Sequence, residues 1–179
     1  GVDLFTEEQS VWDIVGSGVE VDSGDTDYGS VVEFTIDNEL SAGVESGLSG
    51  AAYDGSLLPD EAYIEFDLKV LSLTSANDVQ WFIKVEFKRA IETPSNQGKK
   101  LNTKEKRSTD IDFVKLALEQ SLESEIPVED QWQHYTFTLG DMRVLGLDAT
   151  KIIAIKVFPS MQGTDTAVYQ IDNVTIGAG

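Results

Sequence analysis

Thirty-two carboxylates, one histidine and no cysteine define the chemistry open to this 179-residue chain. The histidine, His134, sits in Gln133-His134-Tyr135, with no thiol and no Gly-x-Ser-x-Gly turn to make it the base of a nucleophilic site. The sequence has no Gly-x-Gly-x-x-Gly, P-loop or His-Glu-x-x-His pattern, so nucleotide binding and zinc hydrolysis lose their usual supports. Carboxylate pairs such as Glu65 and Asp67 are to be expected by chance among so many acids. A hydrolytic pair must flank one bond at a set separation, in surroundings that raise one of the two pKa values, and spacing in sequence specifies neither. The acid that most needs a reason is Asp172, which lies inside the alternating run from Ala167 to Ile176. Burying an unpaired carboxylate in a sheet is costly, so Asp172 either reaches solvent, pairs with a cation or ligates a metal.

The elements that would position these groups belong to one domain by length, and 41% hydrophobic content is enough for a real core. A net charge of -19, from 13 basic and 32 acidic residues, disfavours nucleic acid and anionic membranes as partners, and suits either a solvated acidic surface or a salty medium. Without cysteine there are neither disulfides nor a cluster of zinc ligands. No run reaches the ~18 apolar residues of a spanning helix, and Gly1-Val2-Asp3-Leu4-Phe5 lacks the pattern of a signal segment, so the expectation is a soluble mature chain or an excised domain. The ending Gly177-Ala178-Gly179 reads as the start of a flexible tether.

Period-2 alternation dominates and helical periodicity is scarce. In 30–36, Val32, Phe34 and Ile36 share one face, opposite Val31, Glu33 and Thr35. In 62–70, Ile64, Phe66, Leu68 and Val70 oppose Tyr63, Glu65, Asp67 and Lys69. In 79–88, Val79, Trp81, Ile83, Val85 and Phe87 oppose Gln80, Phe82, Lys84, Glu86 and Lys88. Segment 132–139 turns Tyr135, Phe137 and Leu139 inward against Trp132, His134, Thr136 and Thr138, and 151–159 turns Ile153, Ile155 and Val157 inward against Lys156 and Phe158. Segment 111–126 fits either a strand at Phe113–Leu118 or a helix opened by Thr109, and is read as a strand followed by a loop. At least six short strands with polar outer faces and Gly/Asp/Asn turns predict an all-β antiparallel sandwich or jelly roll. Residues 89–110 break the pattern with 6 of the 13 basic residues and 3 acids. This long basic loop either lies against its own domain or serves as a specificity loop over a ligand.

Rings and polar groups on a wet sheet face are what holds sugars, because a pyranose packs its C–H face on an aromatic ring while its hydroxyls need hydrogen bonds. By parity Tyr63, Phe82, Trp132 and Phe158 supply rings, and Asp67, Lys84, His134 and Lys156 supply donors and acceptors. Trp12 and Trp81 are read as core, while Trp132 either binds or caps the end of the sandwich.

The segments Ile64 to Val70, Trp81 to Val85, Pro127 to Gln133, Leu139 to Met142, Gly146 to Asp148 and Tyr169 to Val174 resemble the carbohydrate-binding-module-like, galactose-binding-like jelly rolls attached to bacterial glycoside hydrolases, often from marine bacteria. The resemblance spans roughly residues 3–176 and implies a secreted, noncatalytic module that binds polysaccharide and keeps a tethered catalytic domain of the same chain near its substrate. It also implies a structural calcium ion between the first and last strands, with Asp172, Glu7 and either Asp27 or Asp25 as candidate ligands, against the alternative that these acids are solvated or bonded within turns. The long basic loop departs from the family pattern, and the acidic body makes a neutral β-glucan or agar-type galactan the expected ligand unless that loop reverses the local field, in which case sulfated sugars stay open. Two other readings stay open: an accessory domain that packs on its hydrolase without binding sugar, and a jelly-roll hydrolase or lyase. Tyr169, Ile171 and Val174 cannot all point inward under strict alternation, so a bulge is predicted near Asp172-Asn173.

Overall fold

Two antiparallel sheets face each other across a core built from the alternating residues of every long strand. The computed structural model describes residues 1–8, 11–37, 45–90, 109–161 and 164–178. Among these residues eleven strands run in chain order as β1 (Val2–Asp3), β2 (Asp13–Val15), β3 (Gly18–Asp22), β4 (Ser30–Ile36), β5 (Gly47–Tyr53), β6 (Tyr63–Thr74), β7 (Trp81–Ala90), β8 (Thr109–Ala117), β9 (Trp132–Thr138), β10 (Ile152–Pro159) and β11 (Thr166–Gly177). A six-stranded sheet has the order β3-β4-β11-β6-β9, with β1 also on β11, and a five-stranded sheet has the order β2-β5-β10-β7-β8. The all-β sandwich expected from the alternation is the fold that forms. Of the long basic loop, the ends belong to β7 and β8, and 91–108 lies outside the described residues.

The inward rows are those that parity selects: Ile64, Phe66 and Leu68 on β6, Ile83, Val85 and Phe87 on β7, and Tyr135 and Phe137 on β9 are at most 2% exposed. Each such side chain contributes about 1.5–3 kcal/mol on leaving water. Trp12 and Trp81 are core, as expected. Trp81 meets Tyr169 edge-on at 5.0 Å, and the buried Tyr169 hydroxyl donates to the Val157 carbonyl at 2.7 Å, one hydrogen bond joining the two sheets. Gly50 on β5 lets Trp12 close over the five-stranded sheet, since a Cβ there would overlap the indole.

One parity expectation fails for a local reason, and one holds with a burial it did not foresee. A register shift between Ile152 and Ala154 makes Ile152, not Ile153, the buried residue and turns Ala154 outward opposite Glu86. Val31 keeps the face opposite the core that parity assigns to it, but it is fully buried there, with Val21 of β3 opposite it. A six-residue helix, α1 (Leu139–Val144), is too short to show a period; Thr138 caps it by accepting from the Asp141 amide at 3.2 Å, and it buries Leu139 and Met142.

The predicted bulge exists. Strand β11 pairs with β6 along one edge, while its other edge is shared by β4, opposite 167–171, and β1, opposite 175–176. Residues 172–174 fall between those two partners, the register with β6 shifts there, and Asn173 takes a left-handed φ of 52°. The Leu4 amide closes part of the gap by donating to the Val174 carbonyl at 2.7 Å.

Candidate functional site

The outer face of the five-stranded sheet gathers four of the sequence-predicted residues. Register sets Phe82 of β7 opposite Phe158 of β10, and Lys84 opposite both Lys156 of β10 and Lys115 of β8. Three lysines in one row across three strands repel one another unless anions stand between them. Glu86, two residues beyond Lys84 and so on the same face, takes Lys156 Nζ at 2.9 Å. Glu45 takes Lys84 Nζ at 2.9 and 2.8 Å and Lys156 Nζ at 3.5 Å. It is brought there because the Ser46 carbonyl accepts from the Val157 amide at 2.9 Å and Gly47 has no Cβ to overlap Ile155. The lysine and glutamate side chains are only 12–28% exposed, so the four charges form a rigid array more than a source of stability.

Aromatic rings border this array. Phe82 and Phe158 lie 6.1 Å apart with planes tilted by 43°. Lys115 Nζ stands 4.5 Å over Phe82, and Lys84 Nζ stands 4.1 Å over Phe113, a ring half exposed on β8. Gly47, Ser49 and Ala154 leave a low floor beside them, since Ala154 is opposite both Ser49 and Glu86. Rings for C–H faces and fixed donors and acceptors for hydroxyls therefore share one surface.

Tyr63, Asp67, Trp132 and His134 lie on the other sheet, so the eight predicted residues do not form one cluster. His134 Nδ1 meets Asp67 Oδ1 at 2.6 Å and Nε2 meets Glu65 Oε2 at 3.1 Å. A neutral imidazole donates from one nitrogen alone, so two carboxylate partners call for the protonated ring. Burial pulls the His134 pKa down, but the bonds and charges of Asp67 and Glu65 outweigh it and leave the value raised. The two carboxylates also accept from Asn173 at 2.7 Å and Thr175 at 3.2 Å, making a polar ladder across β9, β6 and β11. Trp132 stacks on Tyr28 at 4.0 Å with planes 10° apart, and its buried indole N–H has no hydrogen-bond partner among the described residues. Tyr63 sits at the far end of β6, opposite Thr138 and Gly177.

Asp172 occupies the bulge and is 6% exposed. Burial raises its pKa to about 6; a bond from the Asn173 backbone opposes this, and the charges of Asp67 and Glu7 add to it. Glu7 Oε1 accepts from the Ser30 amide at 3.1 Å and lies against Gly29, whose φ is 59° and whose Cβ, if present, would overlap the carboxylate. Asp27 stands on an exposed turn, where its amide donates to Asp25 Oδ1 at 2.8 Å. Among the described residues no three His, Cys, Asp or Glu side chains converge as a metal cage.

No known protein family and no curated protein sequence matches the chain. Among solved structures, a family 30 carbohydrate-binding module aligns with a TM-score of 0.58 at 13% identity, covering 94% of this chain and 78% of that one. The family 30 module of a cellulosomal cellulase of Clostridium thermocellum aligns with a TM-score of 0.55 at 15% identity over 93% of this chain and 86% of that one. This chain has the fold of a carbohydrate-binding module. At such identities the likeness extends to architecture alone.

Sequence reasoning missed Glu45, Phe113 and Lys115 on the outer face of the five-stranded sheet. Phe113 and Lys115 share a parity within β8, a signal hidden by the helix-or-strand ambiguity of that segment. Glu45 precedes β5 in a stretch with no periodicity, so only the fold brings it to the lysines.

Proposed function

We propose that this chain is a noncatalytic polysaccharide-binding module and that its ligand lies on the outer face of the five-stranded sheet. One observation carries the reading: Phe82, Phe113 and Phe158 surround a fixed array of Lys84, Lys156, Glu45 and Glu86 on one accessible face. A β-glucan or agar-type galactan supplies both the C–H faces and the hydroxyl rows that such a surface takes. In this reading the module is secreted as part of a larger glycoside hydrolase and raises the local concentration of bonds that the catalytic domain cleaves. The residues on the other sheet, His134 and Trp132 among them, then serve the fold. The test is retardation in native gels containing soluble polysaccharides, followed by calorimetry on Phe82→Ala and Phe158→Ala. Loss of one ring lowers affinity about tenfold, from the C–H stacking it removes; binding unaffected by both variants refutes this face.

A specific observation favours a second reading, packing on a neighbouring catalytic domain without sugar. Ile111 and Phe113 are 60% and 50% exposed on β8 at the sheet's edge. Deleting the module then lowers the melting temperature of the parent enzyme and leaves polysaccharide retention unchanged.

The same proposal includes a calcium ion at the β11 bulge, held by Asp172 and Glu7. What supports it is a buried carboxylate in the field of two other carboxylates. Calcium takes six to eight oxygens and accepts backbone carbonyls and water, so two carboxylates are a sufficient start.

A further inference from the structure

The charges of this protein are segregated. Lys84, Lys88, Arg89, Lys115 and Lys156 lie on β7, β8 and β10 beside Glu86, Asp110 and Asp112, against Lys69, Arg143 and Lys151 over the rest of the described residues, in a full chain of net charge -19. On the outer face Glu45 and Glu86 are taken up by Lys84 and Lys156, which leaves Lys115 and Lys88 with no ion pair among the described residues. The other carboxylate of that face, Asp13, is on β2 at the opposite edge of the sheet from β8. Lys115 is exposed, and the contact found for its ammonium group is the face of Phe82, the surface on which a sugar would stack. A pyranose on Phe82 displaces that ammonium to the rim of the sugar, where ring substituents project.

We propose that the bound polysaccharide carries anionic substituents, sulfate esters or uronate carboxylates, read by Lys115 and Lys88. This rests on the sugar-binding reading of the same face and, within it, favours a charged galactan over a neutral glucan. The acidic body does not prevent it: at physiological ionic strength its repulsion is screened beyond ~8 Å, whereas a lysine contact acts at hydrogen-bond range. The segment 91–108, which joins β7 to β8 in sequence, holds five more basic residues and two acids, but the proposed site does not include it.

Three polymers distinguish the sources: a sulfated galactan, the same galactan after chemical desulfation, and polygalacturonate, each titrated against wild type, Lys115→Met/Lys88→Met and Phe158→Ala. Methionine keeps the apolar stem at two exposed positions, so the fold is unaffected. The expected result is that the double variant loses about tenfold for a charged polymer, as two exposed ion pairs would supply, and less than twofold for the desulfated one. That loss shrinks toward zero at 1 M salt, where screening reaches ~3 Å. Binding of the sulfated galactan alone assigns the ester, binding of polygalacturonate alone assigns the carboxylate, and binding of both assigns charge without further selection. Equal affinity for charged and desulfated chains, unmoved by the lysine variant yet lowered by Phe158→Ala, overturns the charge inference and leaves sugar binding intact. No binding of any polymer overturns both.

Discussion

Replacing Asp172 by asparagine should make this protein more stable when calcium is withheld. The carboxyl of Asp172 goes from 3.8, its ordinary value, to about 6 in the folded chain, chiefly because burial penalises the charge. At 1.36 kcal/mol for each pH unit, the ionised form costs the fold about 3 kcal/mol. The folded value lies above the unfolded one, so the favourable contribution of the neutral acid is complete below pH 3.8 and lost as pH rises through about 6. An asparagine side chain would keep the shape and the acceptor for the Asn173 amide while carrying no charge. In chelator at pH 7.5, Asp172→Asn should therefore unfold at the higher denaturant concentration by about 2–3 kcal/mol, or melt about 5–10 °C higher for a chain of this size. At pH 3.5 the difference should vanish. Calcium at a hundredfold excess over its dissociation constant adds about 2.7 kcal/mol to the wild type and little to the variant. A variant less stable than wild type in chelator at pH 7.5 refutes the desolvation argument, and calcium acting equally on both proteins, or on neither, refutes a cation at Asp172.

Three further outcomes follow from His134 and Tyr169. The single imidazole can be followed by NMR through its ring Hε1 without overlap from another histidine: His134 should titrate above 6.5, and Asp67→Asn should bring it down, since Asp67 supplies the larger of its two stabilising contacts. Its contribution to stability is complete below pH 6.5 and is lost as pH rises through the folded value, so the wild-type advantage over His134→Gln should shrink on alkalinisation. Tyr169→Phe leaves the Val157 carbonyl buried without its partner and should cost about 1–3 kcal/mol in chemical denaturation, with polysaccharide binding unchanged.

The long strands were legible because each has one wet face, and period 2 then separates core from surface residue by residue. Strand β5 was not: Gly47 leaves room for β10 and Gly50 for Trp12, contacts distant in sequence, and a run of such small residues shows no alternation to read. Parity went wrong at Ile153 because a bulge resets the count, and right at Asp172 because the mismatch of Ile171 and Val174 was itself visible. The site was half legible for a related reason. Alternation says which side of its own strand a residue takes, not which sheet the strand joins, so Phe82 and Lys84 were grouped with Trp132 and His134 although the core lies between them. Glu45 and Lys115 needed the register of β10 against β7 and of β7 against β8 before they could join Lys84.

The crowding of cations onto β7, β8 and β10 gives this strongly acidic molecule an electric dipole across the thickness of the sandwich. A charged surface therefore exerts a torque as well as a force. An anion exchanger captures the protein by its six-stranded sheet and leaves the five-stranded face turned to solvent, so immobilisation on such a resin presents the rings and lysines outward. Near a negatively charged wall the molecule turns the other way, so it arrives with Phe82 and Lys115 leading even while its net charge slows the approach.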